Sequence, residues 1–478
     1  MTWGQRGIAS GFTYVLAAIL GPHEFGLVAL GLAFVELVQV VVEQGISTAI
    51  IQRERLEDEH LNSAFWLSLV WCLLLTGATV AASGWWARAN DAPELRNVII
   101  ALSASVLIVG LMIVPLSLLQ REVRFRELAA CWNIGALVGG ASGLAVALLD
   151  GGVWAFVVLQ VVMDAVALVA MWAVTRWMPR PLFSRRHARE LLGFSVSVFA
   201  ANLGGFVTRR ADTLLMGLFF GPAAVGLYRL ADRIVELVLE FTMRPVGVIA
   251  LPHLSRFQDD PARLRATVEK CLRLTLVIAV PALLIVAATS EFLLALLGDE
   301  WAPAADVLAL LCIVGIVKAL VLFTGPLLFA VARPFLRAVM LWALGALSAV
   351  TVVGVGLALE DGAPEDQILG MAASRALLFL AAVLPISLAI VVRFGGLRLR
   401  VLMPALPAAL ASGLAAFAVV AALNATGALD GLSPLPAAVL VVGAACAAAL
   451  APLLLIEPAA RAELRSLHGR VRRRRASG

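Results

Sequence analysis

Charge is what this chain has least of. Only 14% of its 478 residues are Asp, Glu, Lys or Arg, against about 25% in a soluble globular domain. That scarcity, with a mean hydropathy of +0.96, excludes a water-soluble chain and makes the bilayer the solvent for most of it. Counting domains by length fails in such a chain. Cysteine and histidine are also scarce, at 5 each. Cys72, Cys131, Cys271, Cys312 and Cys446 are odd in number, widely spread and set in or beside apolar runs. They suggest neither a disulfide framework nor a metal cluster and read as small packing residues. His23, His60, His187, His253 and His468 show no HxxH or HExxH spacing, which disfavours metalloenzyme chemistry. No Walker A motif occurs, so the chain does not itself hydrolyse ATP. No metal, cofactor or catalytic group is expected.

What is present is apolar length. A spanning helix needs roughly 20 mostly apolar residues, and the sequence predicts fourteen: 3–20, 26–50, 63–86, 97–119, 128–149, 152–176, 191–219, 225–250, 272–295, 304–331, 336–358, 367–392, 401–423 and 434–456. The first run ends in Leu20-Gly21-Pro22-His23-Glu24 rather than a small-x-small cleavage site, so it reads as a span and not as a signal peptide. The expected fold class is an all-α integral membrane protein.

Orientation follows from the basic residues, which concentrate on the cytoplasmic side of short loops. Of 37, 28 fall in the even-numbered gaps and at the two ends: the 51–62, 120–127, 176–190, 251–273, 332–337 and 393–400 segments, Arg6 and the tail. Arg88 and Arg96 alone face the other side, and seven lie within spans. Both termini are therefore expected in the cytoplasm of a multi-pass protein of the bacterial cytoplasmic membrane. The tail Arg470-Val471-Arg472-Arg473-Arg474-Arg475 reads as a contact for anionic membrane lipids rather than for nucleic acid.

The chain repeats itself. Gly21-Pro22 with Gly26-Leu27 recurs as Gly221-Pro222 with Gly226-Leu227, and Val35-Glu36-Leu37-Val38 recurs as Val235-Glu236-Leu237-Val238 in the same register. Ala92-Pro93, Pro115 and Arg126 correspond to Ala302-Pro303, Pro326 and Arg337. Six spans separate equivalent elements, so both copies share one orientation, which implies two six-helix lobes related by a pseudo-two-fold axis along the membrane normal. The expected division is an N-lobe at 1–178, a basic cytoplasmic linker at 179–190, a C-lobe at 191–393, two extra helices within 394–456 and a basic tail at 457–478.

Charges inside spans are costly, about 2.5–3.5 kcal/mol each on insertion scales, so they face a cavity or a partner. Arg229, Arg233, Glu236, Glu240 and Arg244 follow spacings of 4, 3, 4 and 4, within about 80° of one helical face. Two readings compete: an internally paired ladder and the lining of a substrate cavity. The repeat favours the cavity, because Ala29, Ala33, Glu36, Val40 and Gln44 stand at the equivalent first-lobe positions. The architecture does not demand the arginines. Arg209, Arg210 and Asp212, with Lys318, interrupt other spans of the same lobe. The expected cationic cavity is therefore Arg209, Arg210, Asp212, Arg229, Arg233 and Lys318. Glu36, Glu43, Asp164, Glu236 and Glu240 are the candidates for binding a coupling ion.

Several motifs bear a family likeness in combination: Gly21-Pro22-x-x-Phe25-Gly26, His60-Leu61-Asn62-Ser63-Ala64-Phe65-Trp66, Leu119-Gln120-Arg121-Glu122-x-Arg124-Phe125-Arg126 and Gly152-Val153-Trp154-Ala155. Arg209-x-x-Asp212, Gly226-Leu227-Tyr228, Leu254-Ser255-Arg256-x-Gln258-Asp259-Asp260-Pro261 and Trp301-Ala302-Pro303-Ala304 extend it. Over roughly residues 15–340 the chain resembles the polysaccharide-exporter branch (lipopolysaccharide, colanic-acid or teichuronic-acid type) of the multidrug/oligosaccharidyl-lipid/polysaccharide flippase superfamily. The resemblance implies a flippase, not an enzyme, that carries a polyprenyl-pyrophosphate-linked oligosaccharide to the outer leaflet by alternating access, coupled to a proton or sodium gradient. Pathway glycosyltransferases or a polymerase are the partners implied. Rival readings are a multidrug exporter of the same fold, for which the arginine stripe has the wrong sign, and a non-transporting scaffold of a polysaccharide assembly complex. A membrane glycosyltransferase is disfavoured because the outer gaps are too short to hold catalytic groups.

Overall fold

The computed structural model describes residues 3–42, 46–53, 56–187, 195–256, 260–331, 333–359, 362–397, 405–426, 428 and 433–456. Among them the regular structure is entirely helical. In chain order the helices are α1 (Trp3–Val42), α2 (Ile46–Gln52), α3 (Asp58–Ala89), α4 (Leu95–Leu102), α5 (Ala104–Arg121), α6 (Phe125–Leu148), α7 (Trp154–Thr175), α8 (Ser195–Arg256), α9 (Pro261–Ala288), α10 (Ser290–Ala295), α11 (Ala304–Val321), α12 (Thr324–Ala330), α13 (Pro334–Ala358), α14 (Pro364–Leu378), α15 (Leu384–Gly395), α16 (Ala405–Ala425) and α17 (Pro434–Ile456). Eleven of the described helices are long and apolar enough to cross a membrane.

Two helices are too long for a single crossing. At 1.5 Å per residue the 40 residues of α1 and the 62 of α8 would run about 60 and 93 Å, against a hydrocarbon core of about 30 Å. Each breaks at one glycine: Gly21 with φ 78° and ψ 175°, and Gly221 with φ 74° and ψ −179°. That backbone region is essentially closed to residues with a Cβ. Pro22 and Pro222 follow, with φ preset for the first turn of a new helical segment and no N–H to leave unpaired. The Gly-Pro step thus ends one apolar segment and starts the next, in the same way in both repeats.

The expected span limits need correction here. The second segment begins at Pro22 rather than at residue 26, and the eighth continues to Arg256 rather than ending at 250. The 251–273 stretch is mostly helical: α9 starts at Pro261, with the Asp260 side chain accepting from the backbone N–H of Ala262 and Arg263. The polar composition of the stretch suggests a loop, but its Asp-Pro step is a strong helix start.

The chain forms two compact units, one of Met1–Arg229 with Leu341–Gln367, the other of Leu230–Met340 with Ile368–Gly478. The first is built around Val35, Ile50, Phe65, Leu102, Val106 and Val114, drawn from α1 to α5. There α6 lies close along α7, with Gly135, Gly139 and Gly143 set against the carbonyls of Met163, Leu159 and Ala155, a spacing of small residues that lets apolar helices approach without a hydrophobic driving force. Arg121 of the Gln120-Arg121-Glu122 motif caps the end of α2, donating from Nη1 to the Ile50 and Arg53 carbonyls at 2.7 and 2.5 Å; those carbonyls have no helical partner. In the second unit α9 packs with α11, α16 and α17, around Leu276, Val280, Ala405 and Ala409.

Candidate functional site

Of the expected site residues, the first unit holds Glu36, Asp164, Arg210, Asp212 and Arg229. Glu36 on α1 and Arg210 on α8 meet in a two-point salt bridge, Nε to Oε2 at 2.6 Å and Nη2 to Oε1 at 2.9 Å. A planar guanidinium matched to both carboxylate oxygens is the strongest form such a pair takes. Glu36 is therefore engaged with Arg210, whereas from sequence the two are expected in separate roles. Asp212 is buried and turned onto its own backbone, with Oδ1 accepting from the Thr213 N–H at 2.8 Å. Asp164 on α7 is buried and accepts from Gln160 Nε2 at 2.9 Å. Arg229 is buried.

The second unit holds Asp232, Arg233, Glu236, Glu240, Lys318 and Arg375. Arg233 Nη1 lies 3.9 Å from Glu236 Oε2, one rung of the ladder that the spacing allowed. The centre of charge lies one residue away. Asp232 is almost fully buried, and Lys318 Nζ on α11 and Arg375 Nη1 on α14 converge on its Oδ1, at 3.4 and 3.9 Å. Arg375 is itself buried. One carboxylate is thus divided between two cations. Neither Asp232 nor Arg375 was among the expected site residues. The signal available was a third acidic residue in the span, between Arg229 and Arg233 and off the stripe's spacing. Glu43 lies outside the described residues, as do the side chains of Arg209 and Arg244.

A second polar assembly holds the segment after α7. The Asn62 side chain accepts from the Arg180 N–H at 2.5 Å, Ser63 Oγ accepts from the Ser184 N–H at 2.9 Å, and Trp66 Nε1 donates to the Arg180 carbonyl at 2.7 Å. Arg180 Nη1 also lies 3.3 Å from Asp58 Oδ2. The His60-Leu61-Asn62-Ser63-Ala64-Phe65-Trp66 motif is thus a clasp for that segment, a role its composition does not reveal.

Two solved structures share this helical fold. MurJ, a lipid II flippase solved in an inward closed conformation, superposes with a TM-score of 0.69 at 11% identity, covering 94% of this chain and 98% of that one. An inward-facing multidrug resistance MATE family transporter of the MOP superfamily gives 0.58 at 14% identity, covering 82% and 95%. The family model described as polysaccharide biosynthesis protein matches residues 15–306, and the chain belongs to that family. Among its relatives, the succinoglycan biosynthesis transport protein ExoT of Rhizobium meliloti (strain 1021) is 27% identical over 303 residues, 63% of this chain and 61% of that protein. The lipopolysaccharide biosynthesis protein WzxC of Escherichia coli (strain K12) is 26% identical over 332 residues, 67% of this chain and 65% of that protein. The chain matches these two relatives over 61% and 65% of their length.

Proposed function

We propose that the protein is a flippase that moves a polyprenyl-pyrophosphate-linked oligosaccharide from the inner to the outer leaflet, by alternating access between two six-helix lobes. The observation that carries this reading is the buried Asp232, shared by Lys318 and Arg375, in a family of polysaccharide biosynthesis proteins. A diphosphate carries clustered negative charge, and arginine and lysine at membrane depth compensate it where water does not. Arg233, one residue from Asp232, extends the cationic lining, and the apolar surroundings accept the polyprenyl chain. Asp164, held by Gln160 in the other lobe, is the group we assign to proton or sodium coupling. Both termini and the basic 51–62, 120–127 and 176–190 segments face the cytoplasm, where their arginines obey the charge bias of membrane insertion. No catalysis is needed, and pathway glycosyltransferases supply the cargo.

The test is reconstitution in proteoliposomes with a fluorescent polyprenyl-pyrophosphate oligosaccharide. Accelerated exposure of the label on the far leaflet, lost in Lys318→Ala, is the expected result. The likeness to a MATE transporter supports one alternative, export of organic cations; uptake of a cationic dye without flipping of the labelled lipid would favour it.

A further inference from the structure

The helix-packed end of α3 gathers three side chains whose chemistry the transport reading leaves unused. Glu57, His60 and His187 each offer a ligand atom, and these atoms all lie within 4.8 Å of one another. We propose that they bind a divalent transition metal ion of the zinc type, which ties the segment after α7 to the start of α3. Glu57 Oε2 and His187 Nε2 are 3.6 Å apart. That is long for a hydrogen bond but near the edge of about 3.3 Å of a tetrahedron whose bonds are about 2.0 Å. The His60 and His187 rings meet edge to face with centroids 4.2 Å apart, so both imidazoles border one small space. His60 is buried and Glu57 exposed, which leaves the side toward Glu57 open for entry and for a water as fourth ligand. Two imidazoles and a carboxylate are a donor set suited to zinc rather than to magnesium or calcium.

The ring nitrogens show what binding asks of the site. His187 Nδ1 is buried without a hydrogen-bond partner, so no bond at Nδ1 sets the tautomer of the ring, whose Nε2 faces Glu57. His60 Nδ1 accepts from the Glu57 N–H at 3.3 Å. Ligation through His60 Nε2 moves the ring proton to Nδ1 and gives up that long bond, and the released N–H belongs to an exposed residue that water can serve. Arg185 and Arg186, beside His187, are exposed, where solvent and salt screen their repulsion of the cation. The surrounding bonds from Asn62, Ser63 and Trp66 hold the segment in place without metal, so the ion adds a tether to a clasp that is already closed. The two histidines lie far apart in the sequence and in no metal-binding spacing, so residue order alone gives no sign of the site.

The test uses the full chain, purified in detergent with a tag free of histidine, stripped with chelator and titrated with Zn²⁺ against a chromophoric competitor. Stoichiometric zinc is expected, weakened by at least about tenfold in both His187→Ala and Glu57→Gln. It is expected to be unchanged when His23, His253 and His468 are replaced together. A spin label on Arg185→Cys should lose mobility when zinc is added, and His187→Ala should abolish that response while its unliganded spectrum stays that of a folded protein. Folded wild type that retains no zinc, or zinc binding of equal strength in both variants, overturns the proposal. Because no transported lipid enters the assay, failure here leaves the transport reading untouched.

Discussion

Gly26 and Gly226, equivalent residues of the two repeats, press reciprocally on each other's segments. A Cβ on Gly26 would stand 1.8 Å from the Pro222 carbonyl oxygen, and one on Gly226 would stand 1.9 Å from that of Pro22. Residue 26 thus meets residue 222, and residue 226 meets residue 22. Only glycine permits the approach, since no heavy atom fits in the gap. Gly26→Ala and Gly226→Ala should each destabilise the protein, by about 1–3 kcal/mol as for other overpacked contacts, and by similar amounts. Thermal unfolding in detergent measures both, and one neutral variant beside one damaging variant would contradict the reciprocity.

The Gly-Pro breaks predict a second matched pair. Ala at Gly21 or Gly221 meets a backbone conformation with φ of 78° or 74°, where a Cβ costs on the order of 1–3 kcal/mol. Replacing Pro22 or Pro222 by alanine should be milder, because it removes preorganisation and not a permitted conformation. Protein yield from membranes and melting temperature should rank the glycine variants below the proline variants in both repeats.

Glu36 and Arg210 predict non-additivity. Removing either partner takes the two-point bond from the other, whereas Glu36→Gln combined with Arg210→Ala removes both charges together. The double variant should therefore lose less stability than the two single losses added together, with a coupling of about 0.5–3 kcal/mol. A coupling near zero would mean that the pair is not maintained in the folded protein.

Asp232 should separate stability from transport. Asp232→Asn leaves Lys318 and Arg375 repelling each other around a neutral side chain and should cost on the order of 3–5 kcal/mol, as when one partner of a buried pair is removed. Lys318→Ala leaves Asp232 with Arg375 and should keep the fold while abolishing lipid flipping. Melting in detergent and the proteoliposome assay, run on the same preparations, test the contrast. A stable but fully active Lys318→Ala would remove that lysine from the cargo path.

Much of the architecture was legible in residue order, and the reasons are local. Apolar runs long enough to cross a bilayer fold as helices because only a helix satisfies all its backbone groups within one segment in lipid, and the Gly-Pro steps break α1 and α8 for steric reasons confined to two residues. The Arg233–Glu236 contact was readable too, since three residues on a helix are neighbours. The site was legible only as an inventory. Lys318 and Arg210 were recognised as costly charges in spans, but their acidic partners were not identified; the Asn62, Ser63 and Trp66 motif was seen without its role.

The sequence by itself determined that this is a membrane-embedded helical chain built from a repeated unit, and that one copy carries cations its counterpart lacks. Those properties depend on composition and on neighbours within a few residues. Only the tertiary structure decided that Glu36 answers Arg210, that Asp232 is shared by Lys318 and Arg375, and that His60 and His187 stand against each other. The partners in each case come from segments far apart in the chain. Coulomb attraction and ligand geometry act over a few ångströms, and which groups come that close is set by how the helices pack.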